Sequence, residues 1–117
     1  MPRNPAPIFA DIDGMDPDKF VAHLSEDVVF QFGNNEPAQG RGAVKAALEA
    51  FYPMIDGMTH HVRYLFEEGD VVVAQIDVEY VRKDGKHVTV PNADILTFDG
   101  DLVKDWRIFI DLAPVFA

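Results

Sequence analysis

A chain of 117 residues and 13.1 kDa has room for a single domain that can bury a core of its own. Ten Lys and Arg against 20 Asp and Glu leave a formal net charge of −10 and a pI near 4.5, so the surface repels nucleic acid and anionic membranes. With no cysteine, disulfides, thiolate catalysis and cysteine-based metal centres are excluded.

Residues 1–7 carry three prolines and read as a flexible N-terminal arm, with residues 8–117 as the domain. Met1-Pro2-Arg3-Asn4-Pro5 lacks a signal-peptide core. Apolar runs fall far short of the ~20 residues of a membrane span, so a cytoplasmic protein is expected. Ile8-Phe9-Ala10 opens a first helix that ends near Gly14. Asp16-Pro17 has the form of an N-cap followed by proline at the first helical position, with Phe20, Val21 and Leu24 along one side. Val28-Val29-Phe30-Gln31-Phe32 has the composition of a strand and is closed by Gly33-Asn34-Asn35-Glu36-Pro37. After Gly40-Arg41-Gly42, an apolar stripe of Val44, Ala47, Leu48 and Phe51 at i, i+3, i+4, i+7 predicts a helix that Pro53 ends.

From residue 58 the period changes to two. Runs over 58–66, 71–82, 86–98 and 102–112 are separated by Glu68-Gly69-Asp70, Lys83-Asp84-Gly85-Lys86 and Asp99-Gly100-Asp101. Asp-Gly is a strong hairpin signal, so these runs predict an antiparallel meander, with Pro91 marking an edge or a bulge. Helices first and sheet afterwards is the α+β class. The expected form is a cone, a strongly bent antiparallel sheet with N-terminal helices across its concave face and a mouth that holds a small molecule.

Polar residues in apolar company are the informative ones. Val88, Val90, Asn92, Asp94, Leu96 and Phe98 share one strand face, which places Asn92 and Asp94 in its buried middle. A carboxylate there is paired or shifts its pKa upward and holds its proton, ready to donate to a carbonyl or an oxyanion. Alternatively Asp94 caps a bulge at Pro91 or pairs with an arginine. In the preceding run Val72, Ala74, Ile76, Val78 and Tyr80 form the packing face. Gln75 and Asp77 on the other face either line a pocket rim or are solvated. His60 and His61 point to opposite faces, and His60, in phase with Met58, Val62, Tyr64 and Phe66, is the preferred general base. In the last run Trp106, Ile108 and Ile110 face one way and Arg107, Phe109 and Asp111 the other. Asp111 serves as an acid or base at the mouth or pairs with Arg107. No histidine spacing suits a metal, and Gly40-Arg41-Gly42 is too short for a phosphate loop.

Leu24-Ser25-Glu26-Asp27-Val28-Val29-Phe30, Gly40-Arg41-Gly42-Ala43-Val44 and the closing Trp106-Arg107-Ile108-Phe109-Ile110-Asp111 resemble the SnoaL-like and ketosteroid-isomerase-like branch of the nuclear transport factor 2-like superfamily. The resemblance implies the same cone, a hydrophobic pocket and a homodimer formed through the sheet. It places Asp94 at the oxyanion-hole aspartate of ketosteroid isomerases, and Gln31 where those enzymes keep their general base. Against limonene epoxide hydrolases, Asp77 matches one catalytic aspartate, while Gln75 and Ile108 stand at the arginine and the other aspartate. Polyketide-cyclase-type members imply an acid late on the final strand, here Asp111, with His60 as its partner.

The function expected is a small enzyme without cofactor or metal, acting on a hydrophobic carbonyl compound by isomerisation, cyclisation or dehydration. Asp94, His60 and Asp111 are the catalytic candidates; Asn92, Gln31, Asp77, Phe51, Trp106 and Phe109 are the candidates for binding substrate. The alternatives are a non-catalytic small-molecule-binding or association domain and, further off, a small subunit of a larger oxygenase.

Overall fold

Proline and aspartate set the first turns of the chain. The computed structural model describes residues 4–117. Helix α1 (Ala6–Asp13) turns Ile8, Phe9 and Ile12 inward. Of the expected arm, residues 1–3 lie outside the described residues, while Pro5 is buried and Ala6 and Pro7 open α1. Helix α2 (Pro17–Val21) starts where Asp16 accepts the backbone N–H groups of Asp18 and Lys19, at 3.0 and 3.4 Å. Leu24, assigned above to this helix, instead begins strand β1 (Leu24–Phe32). A two-residue strand β2 (Ala38–Gln39), absent from the sequence reading, pairs with β1 before helix α3 (Arg41–Phe51) and a single 3-10 turn over Tyr52–Met54.

Strands β3 (Gly57–Glu68), β4 (Val71–Val81), β5 (His87–Asp99) and β6 (Leu102–Ile110) form the expected meander. Gly85 and Gly100 adopt φ of 84° and 60° in its turns, where a side chain would be strained. The six strands lie in the order β2-β1-β6-β5-β4-β3, and β1 runs parallel to β6, which no local pattern foretells. Strand β6 stops two residues short of the expected run, and a short helix α4 (Ala113–Phe116), absent from the sequence reading, follows.

Pro91 makes no bulge. Pairing of β4 with β5 runs through Asp77 opposite Pro91 without a shift, and β6 ends at Ile110 opposite Asn92. Pro91 is thus the first residue of β5 beyond its β6 partner, a local edge where a missing N–H is tolerated. The consequential bulge is in β3. Val62 faces Ile76 and Tyr64 faces Gln75, so Arg63 is an extra residue and the phase reverses after it. Tyr64 and Phe66, expected beside His60, are therefore turned to the outer face, each 63% exposed.

The core fills the inner side. Val72, Ala74, Ile76, Val78 and Tyr80 are buried on alternate positions of β4, as the period of two requires. Trp106, fully buried, stacks on Phe20 at 5.2 Å and meets Phe9 and Phe30 edge-on. No helix among the described residues is long and apolar enough to cross a membrane.

Candidate active site

The helices and the inner face of the sheet enclose a cavity of about 260 Å³. Aromatic side chains dominate its wall, with Phe20 from α2, Phe30 and Phe32 from β1, Phe51 from α3 and Trp106 from β6. Phe51 rests against Phe32 at 5.4 Å and meets Tyr80 edge-on at 6.3 Å. Such a lining excludes water and strengthens any charge or hydrogen bond within it.

Asp94 sits in that wall at 1% exposure. Asn92 Nδ2 donates to its Oδ1 at 2.8 Å, and Trp106 Nε1 donates to its Oδ2 at 3.3 Å. Neither sequence alternative is realised: there is no bulge at Pro91, Arg63 pairs with Asp77, and Arg107 pairs with Asp105. Desolvation lifts the carboxyl from 3.8 to about 6, while Asn92, His60 and Trp106 hold the rise in check. Roughly a tenth of the molecules then keep the proton at pH 7, so Asp94 is poised to exchange it near neutrality rather than held permanently neutral.

His60, on the inner face of β3, lines the same cavity. Its Nδ1 lies 2.6 Å from Asp13 Oδ1, and its backbone N–H donates to both Asp13 oxygens, at 3.1 and 3.0 Å. The ring stacks on Phe9 with centroids 5.5 Å apart. A carboxylate accepting a backbone N–H assigns Nδ1 as a further donor, which leaves the lone pair on Nε2. His61 points outward and pairs with Glu79, which also pairs with His87.

The fold therefore brings together Asp94, Asn92, His60, Trp106 and Phe51. It separates the other four candidates from them. Phe109 alternates with Ile108 and Ile110, so it turns away from the cavity and is 56% exposed; Asp111 lies exposed past the end of β6 and accepts the N–H of Ala113 at 2.9 Å, fastening the start of α4. Gln31 alternates with cavity-lining Phe30 and Phe32 and lies in an outer groove, accepting from Arg107 at 3.3 Å. Asp77 is on the outer face in an ion pair with Arg63 at 2.8 Å. For Phe109, Gln31 and Asp77 the cause is the alternation of side chains across a strand; for Asp111 it is that β6 ends at Ile110.

The sequence reading did not reach two groups of the site, the partner of His60 and a phenol in the cavity wall. Asp13 is 47 residues from His60 and carries no signal beyond standing at the end of the first helix. Tyr80 was assigned to packing, yet it lines the cavity, and burial, with Asp94 and then Asp13 adding, keeps its phenol protonated far above neutrality. Burial likewise pushes Tyr52 up to about 12. No cluster of three or more His, Asp or Glu among the described residues is arranged to hold a metal ion.

A family model described as a SnoaL-like domain matches residues 8–106. Comparison with curated proteins finds no match. Among solved structures, an NTF2-like protein of unknown function from Burkholderia pseudomallei is similar at 15% identity and a TM-score of 0.85, over 96% of this chain and 94% of that one. A putative SnoaL-like polyketide cyclase from Jannaschia sp. is 20% identical, with a TM-score of 0.81 over 99% and 94%. An LEH-like epoxide hydrolase from M. tuberculosis is 15% identical, with a TM-score of 0.78 over 95% and 82%.

Proposed function

The chain belongs to the SnoaL-like domain family, and from that premise we propose that it is a small cofactor-independent acid–base enzyme acting on a hydrophobic carbonyl compound, of isomerase, cyclase or dehydratase type. One observation carries the reading: a buried carboxyl titrating near neutrality, Asp94, shares an apolar cavity with a histidine oriented by a carboxylate. A carbonyl oxygen seated against Asp94 takes a hydrogen bond from its protonated form and another from the remaining N–H of Asn92. Nε2 of His60 takes a proton from a carbon adjacent to, or conjugated with, that carbonyl. The electron pair moves to the oxygen, which receives the Asp94 proton. Return of a proton to another carbon is isomerisation; loss of a neighbouring hydroxyl as water is dehydration.

The productive form has Asp94 protonated and His60 neutral, so the rate is expected to fall about tenfold per pH unit above the Asp94 titration. A bound apolar ligand displaces water and moves that titration upward. Proton exchange tests the reading without knowledge of the natural substrate. In D2O, the protein is expected to accelerate α-deuteration of 2-octanone, followed by NMR, and His60→Ala to lower that rate by ~100-fold or more. A protein that binds the ketone but adds nothing to the buffer rate overturns the catalytic reading and leaves the non-catalytic binding domain.

We also propose a homodimer formed through the outer sheet face. Register places Phe109, Ala93, Gln75 and Tyr64 in one row across it and Arg107, Ile95, Val73 and Phe66 in the next. Arg63–Asp77 and Arg107–Asp105 balance charges on this face, unlike the chain at −10. Sedimentation is expected to show a dimer that Phe66→Glu with Phe109→Glu splits into monomers; a wild type that sediments as a monomer at ~10 μM, weaker than ordinary homodimers, ends the proposal.

A further inference from the structure

Two half-exposed apolar side chains stand in the cavity wall where it adjoins a second space. Met54, in the 3-10 turn, is 51% exposed, and Phe116, in α4, is 46% exposed. Both line the cavity, and both also line a separate groove of about 240 Å³ bounded by Ile55, Arg82 and Val115. They are the side chains common to the two spaces. Phe116 is held in place from three sides: Val115 beside it is 1% exposed, Asp111 fastens the start of α4, and Arg82 Nη1 donates to the Ala117 carbonyl at 3.0 Å. Met54 follows Pro53, whose ring restrains the turn that presents it.

We propose that Met54 and Phe116 determine substrate size, limiting the ligand to about ten non-hydrogen atoms by closing the cavity off from the groove behind them. The limit follows from volume, since a cavity of about 260 Å³ holds roughly nine waters at their liquid share of ~30 Å³. The ligand class is thus a compact carbonyl compound, a single ring or a short chain, and not a polycyclic one. This rests on the cavity being the ligand site, but not on turnover there.

The test uses 2-alkanones of 8 to 16 carbons, with binding read from the fluorescence of Trp106, the single tryptophan of the chain and part of the cavity wall. In the wild type, affinity is expected to tighten roughly fourfold per methylene up to about ten non-hydrogen atoms and then to stop rising. In Met54→Ala with Phe116→Ala the two spaces merge, and the rise is expected to continue to longer ketones. Met54→Phe thickens the same wall without adding a second tryptophan and is expected to move the break to shorter chains. A break that stays at the same length in both variants overturns the proposal, as does a wild type with no break. Deuterium exchange run alongside separates the two ideas. Exchange lost with the break intact removes only the catalytic reading; exchange kept with the break unmoved removes only the size limit.

Discussion

Asp94→Asn is expected to slow ketone deuteration by ~100-fold or more and, in the same variant, to change how stability depends on pH. Asparagine keeps the shape and one acceptor oxygen but has no proton to exchange. The stability effect follows from the raised carboxyl. With a folded-state value of about 6 against 3.8 for the free side chain, Asp94 favours folding fully only below pH 3.8. That contribution is lost as pH rises through about 6. Above it, the ionised carboxylate carries a burial cost of roughly 3 kcal/mol relative to its protonated form. The variant lacks this dependence. Its stability relative to wild type is therefore expected to rise by roughly 2.5 kcal/mol between pH 4 and pH 7 and then to level off. Urea unfolding at several pH values measures the difference, from which the other carboxylates cancel. A flat difference means that Asp94 titrates as an ordinary solvated carboxylate, and the proposed chemistry goes with it.

Trp106→Ala is expected to cost 3–5 kcal/mol, a rough figure for truncating a large buried aromatic. Few residues have more to lose. The indole is fully buried, stacks on Phe20 and touches Phe9 and Phe30, so its removal opens a void between α1, α2, β1 and β6. For a domain whose total stability is of order 5–15 kcal/mol, that loss leaves little margin at body temperature. Trp106→Phe separates packing from polarity. The ring remains, the N–H to Asp94 Oδ2 disappears, and about 1 kcal/mol is lost at a pH where the carboxylate is ionised. Because that donor lowers the Asp94 titration, the high-pH limb on which the rate falls is expected to move to higher pH in Trp106→Phe. An unmoved limb would show that Asp94 is not the group being titrated.

Much of this site was legible because strands alternate. The period of two put Asn92 and Asp94 on the face shared with Val90, Leu96 and Phe98, and that face is buried. The same rule, applied without exception, separates Phe109 from Trp106 and Ile108, and Gln31 from Phe30 and Phe32. Family position points to Gln31 and Asp111 and chemical type to Phe109, but the direction a side chain faces decides what it can reach. Tyr64 and Phe66 were misplaced for a different reason. A one-residue bulge at Arg63 reverses the phase, and no residue type near it announces the insertion.

What the chain determined by itself is whatever depends on neighbours a few residues away: the capped α2, the apolar stripe of α3, the glycine turns between β3 and β6, and the burial of an acid among valines and leucines. These rest on backbone geometry and side-chain period, which are local. The tertiary structure alone decided the parallel pairing of β1 with β6, the meeting of Asp13 with His60 across 47 residues, and the placing of Met54 and Phe116 in one cavity wall. Such contacts form only when packing of the whole core offsets the entropy of closing long loops, and no short stretch of sequence contains that balance.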